Sequence, residues 1–290
     1  MEKLENLENV GNTDGFEMDS VRLIERGLIT TYKSRIYRPF RRAVEEYCLL
    51  REGDKVAVCI SGGKDSMLLA KCLQEYQRHG DISFSLEFIT MDPGYHTKNR
   101  QLIEHNAKML GIPIRFFNTN VFDVVEKSKG SSPCFLCAKM RRGCLYGEAE
   151  RLGCNKIALG HHFDDAIETM LINIFYGGEV KTMMPKLKST SCKLELIRPL
   201  YMVKEHDIMT WRDSNQLQFL DCACKFSEKA KEDVSLSKRK EIKGLIEYFR
   251  QNSKYVDLSI FHSMTNINLD AVLGWTSQKE KHTFLENYDK

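Results

Sequence analysis

The chain has 290 residues, with 43 Lys plus Arg against 40 Asp plus Glu for a formal net charge of +3, and 42% of it is hydrophobic and 29% charged. These proportions belong to a globular chain long enough for one or two domains and exclude a low-complexity or strongly polyionic one. No apolar run approaches the roughly 20 residues of a membrane span, and the acidic start Met1-Glu-Lys-Leu-Glu lacks a signal peptide's basic and apolar regions, so a cytoplasmic location without membrane attachment is expected.

Residues 1–18 read as a flexible acidic arm, and 19–51 as a basic helical segment carrying Arg22, Arg26, Lys33, Arg35, Arg38, Arg41 and Arg42, interrupted at Pro39. Lys55–Ile60 is an apolar, β-branched run and predicts a buried strand. Ser61-Gly62-Gly63-Lys64-Asp65-Ser66 then turns into a segment with apolar residues at 68, 69, 72, 73 and 76, the spacing of a helix. A glycine-rich turn from strand to helix offers unpaired N–H groups and the positive end of the helix dipole to a phosphate. Lys64 adds a charge, and Ser61 and Ser66 add hydroxyl donors. The string is too short between its glycines for a Walker A loop. It resembles the S-G-G-x-D-S PP-loop of the ATP pyrophosphatases, which cleave ATP between the α- and β-phosphates.

Further along, Ser83–Thr90, Pro113–Phe117, Lys156–Leu159 and Glu195–Ile197 read as strands. Lys98–Leu110, Cys137–Leu152 and Asp165–Phe175 read as helices, closed by Gly111, Gly153 and Gly177-Gly178. This alternation predicts an α/β fold, a parallel sheet with helices on both faces, whose ligands bind beyond the carboxyl ends of the strands. Residues 201–290 are mainly helical and polar, with an amphipathic stretch at Arg239–Arg250; residues 253–275 carry no assignable pattern. The expected organisation is a central domain over 52–225 and a helical C-terminal extension over 226–290.

Gly160-His161-His162-Phe163-Asp164-Asp165 follows a strand and opens a helix, so it falls on the same edge as the phosphate loop. Its two acids suit a Mg²⁺ held with nucleotide phosphates. A zinc site from His161, His162 and Asp164 is a second reading, and Asp165 also suits a helix cap. Ten cysteines in a cytosolic chain favour metal or redox chemistry over disulfides. Cys48, Cys59 and Cys72 lie in apolar patterns and read as core. Cys134-Phe-Leu-Cys137 and Cys222-Ala-Cys224 could supply four zinc ligands or three thiolates to a 4Fe–4S cluster, and spacing leaves both open. Basic groups at Lys139-Met-Arg-Arg142, Lys181/Lys186/Lys188 and Lys238-Arg-Lys240 are of the kind a nucleic-acid backbone attracts.

Longer strings carry a closer resemblance. Glu52–Ser66, Cys134–Gly143, Lys156–Asp165, Asn173–Gly178, Lys181 with Met184-Pro185, and Ile197-Arg-Pro-Leu200 appear in the order seen in the tRNA 2-thiocytidine synthetases of the PP-loop superfamily. That resemblance implies a Rossmann-like, adenine nucleotide alpha hydrolase-like sheet with N- and C-terminal helical extensions. It implies a tRNA sulfurtransferase that adenylates the C2 oxygen of an anticodon-loop cytidine, at position 32, and replaces it with sulfur, forming AMP and pyrophosphate. ATP, Mg²⁺ and a 4Fe–4S cluster are the implied cofactors. tRNA and a sulfur donor, a cysteine desulfurase or sulfide, are the implied partners, with a homodimer left open.

Carried over residue by residue, the catalytic set is Lys64, Asp65, Arg141, Asp164 and Asp165. The nucleotide set is Ser61, Gly62, Gly63, Lys64, Asp65, Ser66, Met91, Gly160 and His161, and the cluster ligands are Cys134, Cys137 and Cys222. The family's Pro-Cys-x-x-Cys is here Asp221-Cys222-Ala-Cys224, so Cys222 and Cys224 compete for the third position. Asp92-Pro-Gly-Tyr-His-Thr-Lys98 also departs from the family pattern and leaves the target nucleoside open. The alternatives are another PP-loop tRNA-modifying enzyme, of 2-thiouridine synthetase or lysidine synthetase type, or a zinc-stabilised RNA-binding protein without catalysis. The cysteines argue against the lysidine type, and the intact phosphate loop against the non-catalytic protein.

Overall fold

The computed structural model describes residues 13–127, 133–190, 192–220 and 234–288. Helix α1 (Thr13–Ile29) is followed by a single π turn at Lys33–Tyr37 and by α2 (Arg38–Glu46). Pro39 stands in the first turn of α2, where a missing N–H costs no hydrogen bond, so it starts a helix rather than breaking one.

The central sheet contains β1 (Lys55–Cys59), β2 (Ser85–Asp92), β3 (Ile114–Asn118), β4 (Lys156–Ala158), β5 (Lys186–Lys188) and β6 (Glu195–Ile197) in the order β3-β2-β1-β4-β6-β5. All pairings are parallel except that of β5 with β6. The antiparallel edge strand β5, absent from the sequence reading, carries Lys186 and Lys188, charges that discourage further pairing. The connecting helices are α3 (Lys64–His79), α4 (Thr97–Met109), α5 (Val121–Lys127), α6 (Pro133–Arg151), α7 (Phe163–Ile172) and α8 (Glu205–Ser214). From β1 the chain winds outward through β2 to β3 and then returns to β4 on the other side of β1. The gap between the carboxyl ends of β1 and β4 is therefore the switch point, where such sheets bind ligands.

Alternation along the strands fixes the two buried faces. Val56, Val58 and Ile60 join a core with Leu68, Leu69 and Leu73 of α3 and Ile24, Leu28 and Phe40 of the N-terminal helices. Ala57 and Cys59 face the opposite core, with Ile157, Leu196 and Ala149 of α6. Lys71 interrupts the apolar face of α3, yet it is buried. Its ammonium is held by Glu25 Oε1 at 2.6 Å, Gln74 Oε1 at 2.9 Å and the Leu110 carbonyl at 2.7 Å, which ties α1 to the sheet-packing helices.

The described residues divide into two compact units, one within Met1–Ala166 and Met184–Ser237, the other within Ile167–Met183 and Lys238–Lys290. The second contains the end of α7, a π turn at Asn173–Gly177, most of α9 (Val234–Asn252), α10 (Val256–Ser263), the hairpin β7 (Gly274–Ser277) and β8 (Glu280–Thr283), and α11 (Leu285–Tyr288). Helix α10 lies in the stretch 253–275 that carried no assignable pattern, and the hairpin, mostly beyond it, corrects the expectation that the chain after residue 201 is mainly helical. Within this unit Arg239 pairs with Glu168 at 3.4 Å and Lys238 lies 4.8 Å from the centre of the Tyr176 ring. No helix among the described residues is long and apolar enough to cross a membrane.

Candidate active site

The phosphate loop is set by three local features. Gly62 adopts φ +85, and a Cβ on it would meet Ile103 Cγ1 at 2.6 Å, so both conformation and space demand glycine. Ser66, buried, donates its hydroxyl to the Gly63 carbonyl at 2.9 Å and accepts the Ser61 N–H at 3.1 Å. Ser61 Oγ lies 3.1 Å from Ser66 Oγ. The two serines thus lock the loop, and α3 begins at Lys64, three residues earlier than the apolar spacing indicated. Its first N–H groups have no intrahelical partner and open toward the switch point.

Lys64 lies between two carboxylates, its Nζ 3.2 Å from Asp65 Oδ2 and 3.3 Å from Glu205 Oε1. Asp65 Oδ1 is buried, 3.1 Å from the same ammonium, and accepts no hydrogen bond. Glu205 was missed by sequence reasoning. It lies 141 residues from Lys64, and only the packing of α8 against α3 brings them together; an acid opening a helix gives no other signal.

Gly160 continues β4 directly toward this loop. A Cβ there would lie 3.0 Å from the Asp65 carbonyl carbon and from the Ser66 nitrogen, so the two turns touch backbone to backbone. His161 is half-buried and follows in the same turn. Asp165 sits at the third position of α7 and accepts the His162 N–H at 3.0 Å, the reach-back half of a capping box. Asp164 accepts the Glu205 N–H at 2.7 Å and so caps α8 across the crevice. His162 is buried, with Nε2 3.5 Å from Asp165 and 3.9 Å from Asp65, and Nδ1 4.0 Å from Asp164. The first turns of α3, α7 and α8 are therefore linked through side chains at one edge. Among the described residues no group of three or more His, Cys, Asp and Glu is arranged to hold a metal by itself.

The C-x-x-C pair lies inside α6, which starts at Pro133 rather than at Cys137. Proline suits the first helical position. Cys137 is buried in a cluster with Met91, Val121, Phe122 and Val125. Met91 is near the carboxyl end of β2, so two residues singled out separately in the sequence meet. The side chain of Cys134 and all of Cys222 and Cys224 lie outside the described residues. Two residues before Cys222, the Leu220 N–H approaches the Gly62 carbonyl at 3.4 Å, and the Gln218 carbonyl accepts Asn106 Nδ2 at 2.7 Å. Arg141 is half-buried on α6, about one turn beyond Cys137.

Other cysteines sort by burial. The Cys59 thiol is pushed up to about 12 by desolvation and the Cys154 thiol to about 11, and burial also raises Cys72. These remain protonated core residues. Cys48 does not join them: it is exposed, at φ +49 where the chain leaves α2. Asp92 Oδ1 accepts the N–H groups of Gly94 and Tyr95 at 2.9 and 2.8 Å, and its Oδ2 pairs with Arg100 at 3.1 Å. The Asp92-Pro-Gly-Tyr departure is thus a self-contained turn at the end of β2. Part of the N-terminal basic charge is neutralised locally, Arg41 by Glu45 at 2.9 Å and Asp81 at 3.4 Å.

Comparison with known proteins agrees with this geometry. Residues 32–228 match the family model described as a PP-loop domain. The tRNA-cytidine(32) 2-sulfurtransferase of Geotalea uraniireducens (strain Rf4) is 34% identical over 247 residues, covering 84% of this chain and 94% of the relative. That of Pelobacter propionicus is 35% identical over 229 residues, covering 78% and 83%. Among solved structures, the U34-tRNA thiolase NcsA from Methanococcus maripaludis with its [4Fe-4S] cluster aligns with TM-score 0.61 over 80% of this chain and 79% of its own, at 22% identity, a likeness of fold. The chain belongs to the PP-loop family that includes the tRNA-cytidine(32) 2-sulfurtransferases.

Proposed function

We propose that this protein is an ATP-dependent tRNA sulfurtransferase that replaces the C2 oxygen of an anticodon-loop cytidine, position 32 in its relatives' name, with sulfur. The observation that carries the reading is the shared cluster of Met91 and Cys137, which sets the C-x-x-C helix against the strand next to the phosphate loop's own. The domain over 52–225 would perform both halves of the reaction, with 226–290 as a C-terminal extension.

The pyrimidine C2 oxygen is a poor leaving group. Its attack on the α-phosphorus of ATP forms a C–O–P linkage and expels pyrophosphate. Lys64 and the first N–H groups of α3 meet the charge that develops there. A sulfur nucleophile at the oxidation level of hydrosulfide then adds to C2, the C–O bond breaks with AMP taking the electron pair, and the S–H proton passes to solvent to leave C=S. Arg141 would stabilise the negative charge that develops on AMP as it departs, and the contact of Gly160 with Asp65 and Ser66 holds the two turns at fixed separation.

The residues present fit the implied cofactors. Magnesium needs only one or two carboxylates when phosphates complete its shell. Asp65, with its buried Oδ1 accepting no hydrogen bond, and Asp164 and Asp165 across the crevice offer that donor set. Bound there, Mg²⁺ would neutralise phosphate oxygens. Cys134 and Cys137 would hold two positions of a 4Fe–4S cluster, with Cys222 as the third ligand. Three protein thiolates leave one iron open, and the cluster would supply sulfur kept as the anion. The sulfur donor is a cysteine desulfurase or sulfide.

The test is mass spectrometry of tRNA nucleosides from cells lacking the protein, complemented with wild type, Cys134→Ala or Cys137→Ala. Loss of 2-thiocytidine, restored by wild type alone, is expected. Restoration by both cysteine variants, or no change on deletion, would sink the proposal.

A further inference from the structure

Glu205 stands at the phosphate edge with no part yet in the chemistry. It opens α8, and its backbone is pinned there from two sides. Its N–H donates to Asp164 Oδ2 at 2.7 Å. Further along the helix, Ile208 and Trp211 are fully buried in the core that also holds Met67, Leu68 and Leu69 of α3. The Glu205 side chain reaches back to Lys64, Oε1 standing 3.3 Å from Nζ, and the two side chains are only 18% and 19% exposed. Solvent and salt therefore screen this pair less than one on the open surface.

Lys64 needs such a hold. It is the first residue of α3, where the positive end of the helix dipole repels an ammonium, and its stem is flexible. Its other partner, Asp65, follows it directly in sequence, with Oδ1 at 3.1 Å. Adjacent residues on a helix do not face each other. Asp65 therefore cannot by itself set where the ammonium goes, and it is also one of the carboxylates proposed for Mg²⁺. An ammonium has three N–H donors. Among the described residues only Asp65 and Glu205 engage that of Lys64, which leaves a donor for a phosphate oxygen. We propose that Glu205 is a positioning residue: it holds the Lys64 ammonium over the crevice so that the remaining donor meets the pyrophosphate leaving group of ATP. The assignment rests on the ATP-dependent function proposed above.

The test compares Glu205→Ala and Glu205→Gln with wild type in the full-length protein. Pyrophosphate release with a tRNA transcript gives kcat. Calorimetry gives the affinity for an ATP analogue that cannot be cleaved between its α- and β-phosphates. Glu205→Ala frees the ammonium and should lower kcat by about tenfold, part of the roughly 100-fold that a displacement of about 1 Å costs. Analogue affinity should not fall, and should rise by up to about fivefold, the worth of a partly exposed ion pair, because the phosphates no longer compete with the carboxylate for Lys64. Glu205→Gln keeps an oxygen in the same place and should recover most of kcat. The bond from the Glu205 N–H to Asp164 is main chain and survives both changes. If Glu205→Ala nevertheless fails to fold, Glu205→Asp, whose carboxylate stops one methylene short, carries the same prediction. Wild-type kcat in Glu205→Ala would overturn the assignment. So would an affinity that falls in step with kcat, the mark of an ordinary binding contact. A Mg²⁺ requirement raised equally in the Ala and Gln variants would overturn it too, since that behaviour belongs to a metal ligand. Each of these results leaves the thiolation reading in place, whereas wild-type protein that releases no pyrophosphate from ATP would overturn both.

Discussion

Replacing Gly160 with alanine inserts one methyl group into the contact that joins the two turns of the site. The added Cβ would sit 3.0 Å from the Asp65 carbonyl carbon and the Ser66 nitrogen and 3.2 Å from the Asp65 oxygen, against 3.4–4 Å for ordinary contacts. The atoms it meets are main chain in the first turn of α3, which cannot swing aside as a side chain would. Overpacking costs about 1–3 kcal/mol, and the stiffer unfolded chain offsets about 0.4–1 kcal/mol of that. A net loss of about 1 kcal/mol lowers the unfolding midpoint by only about 2–4 °C in a domain of this size. Catalysis has more to lose. A displacement of about 1 Å costs roughly 100-fold, so the few tenths of an ångström forced on Lys64 and Asp65 should lower kcat/KM for ATP by roughly tenfold. The assay is ATP-dependent thiolation of a tRNA transcript with AMP release followed in parallel, and thermal unfolding of the same preparations. Wild-type kcat/KM in Gly160→Ala would refute the claim that this contact sets the geometry of the site, and a loss explained wholly by unfolded protein would do the same.

Asp164→Asn and Asp165→Asn separate capping from metal binding. Each keeps an oxygen for the Glu205 or His162 N–H, so stability should stay within about 0.5 kcal/mol of wild type. Removing the charge should lower Mg²⁺-dependent AMP formation by roughly 100-fold, the upper end of what even outer partners of a metal contribute; near-normal rates would leave these acids as caps alone. Glu25→Ala strands the Lys71 ammonium in the core, and breaking a buried pair costs about 3–5 kcal/mol, discounted toward the lower figure because Glu25 is itself partly exposed and Gln74 and the Leu110 carbonyl still accept from Lys71. Urea unfolding reads this, and a change under about 1 kcal/mol would contradict it. The same pair gives an acid limb. Burial would raise the Glu25 pKa, but hydrogen bonds from Arg78 and Lys71 outweigh it and hold the carboxyl below its ordinary 4.5. Its stabilisation is therefore complete above that pH and is lost as pH falls through the lowered folded value. In Glu25→Ala the acid-induced loss of stability should be shallower.

The strand, turn and helix around Ser61–Ser66 were legible because each signal is local. Period-two burial shows in Val56, Val58 and Ile60 against Ala57 and Cys59, a glycine stands where φ is +85, and helical spacing follows. Elements without local signals were lost. The β7–β8 hairpin turns through Gln278 and Lys279 at φ +51 and +72, where two-residue turns ordinarily use Asn or Gly, so nothing in the residue types announced it. The start of α6 was placed four residues late, at Cys137, whereas the helix begins at Pro133, directly after Ser128-Lys-Gly-Ser-Ser132, a string whose residue types read as loop. Lys71 hid in an apolar face because its partner, Glu25, is 46 residues away.

The site divides along the same line. The loop and the Gly160–Asp165 turn carry their chemistry within six residues each, so type and spacing sufficed. Glu205 against Lys64, Asp164 capping α8, and Met91 against Cys137 are contacts between elements that only strand order brings together. Each of the three links a residue readable as ATP chemistry or sulfur chemistry to one on another element. What sequence alone leaves open is therefore how the two halves are coupled, and that coupling is what Gly160→Ala perturbs: the methyl group touches neither Lys64's ammonium nor either cysteine, and any loss of thiolation beyond the loss of AMP formation would measure communication between them.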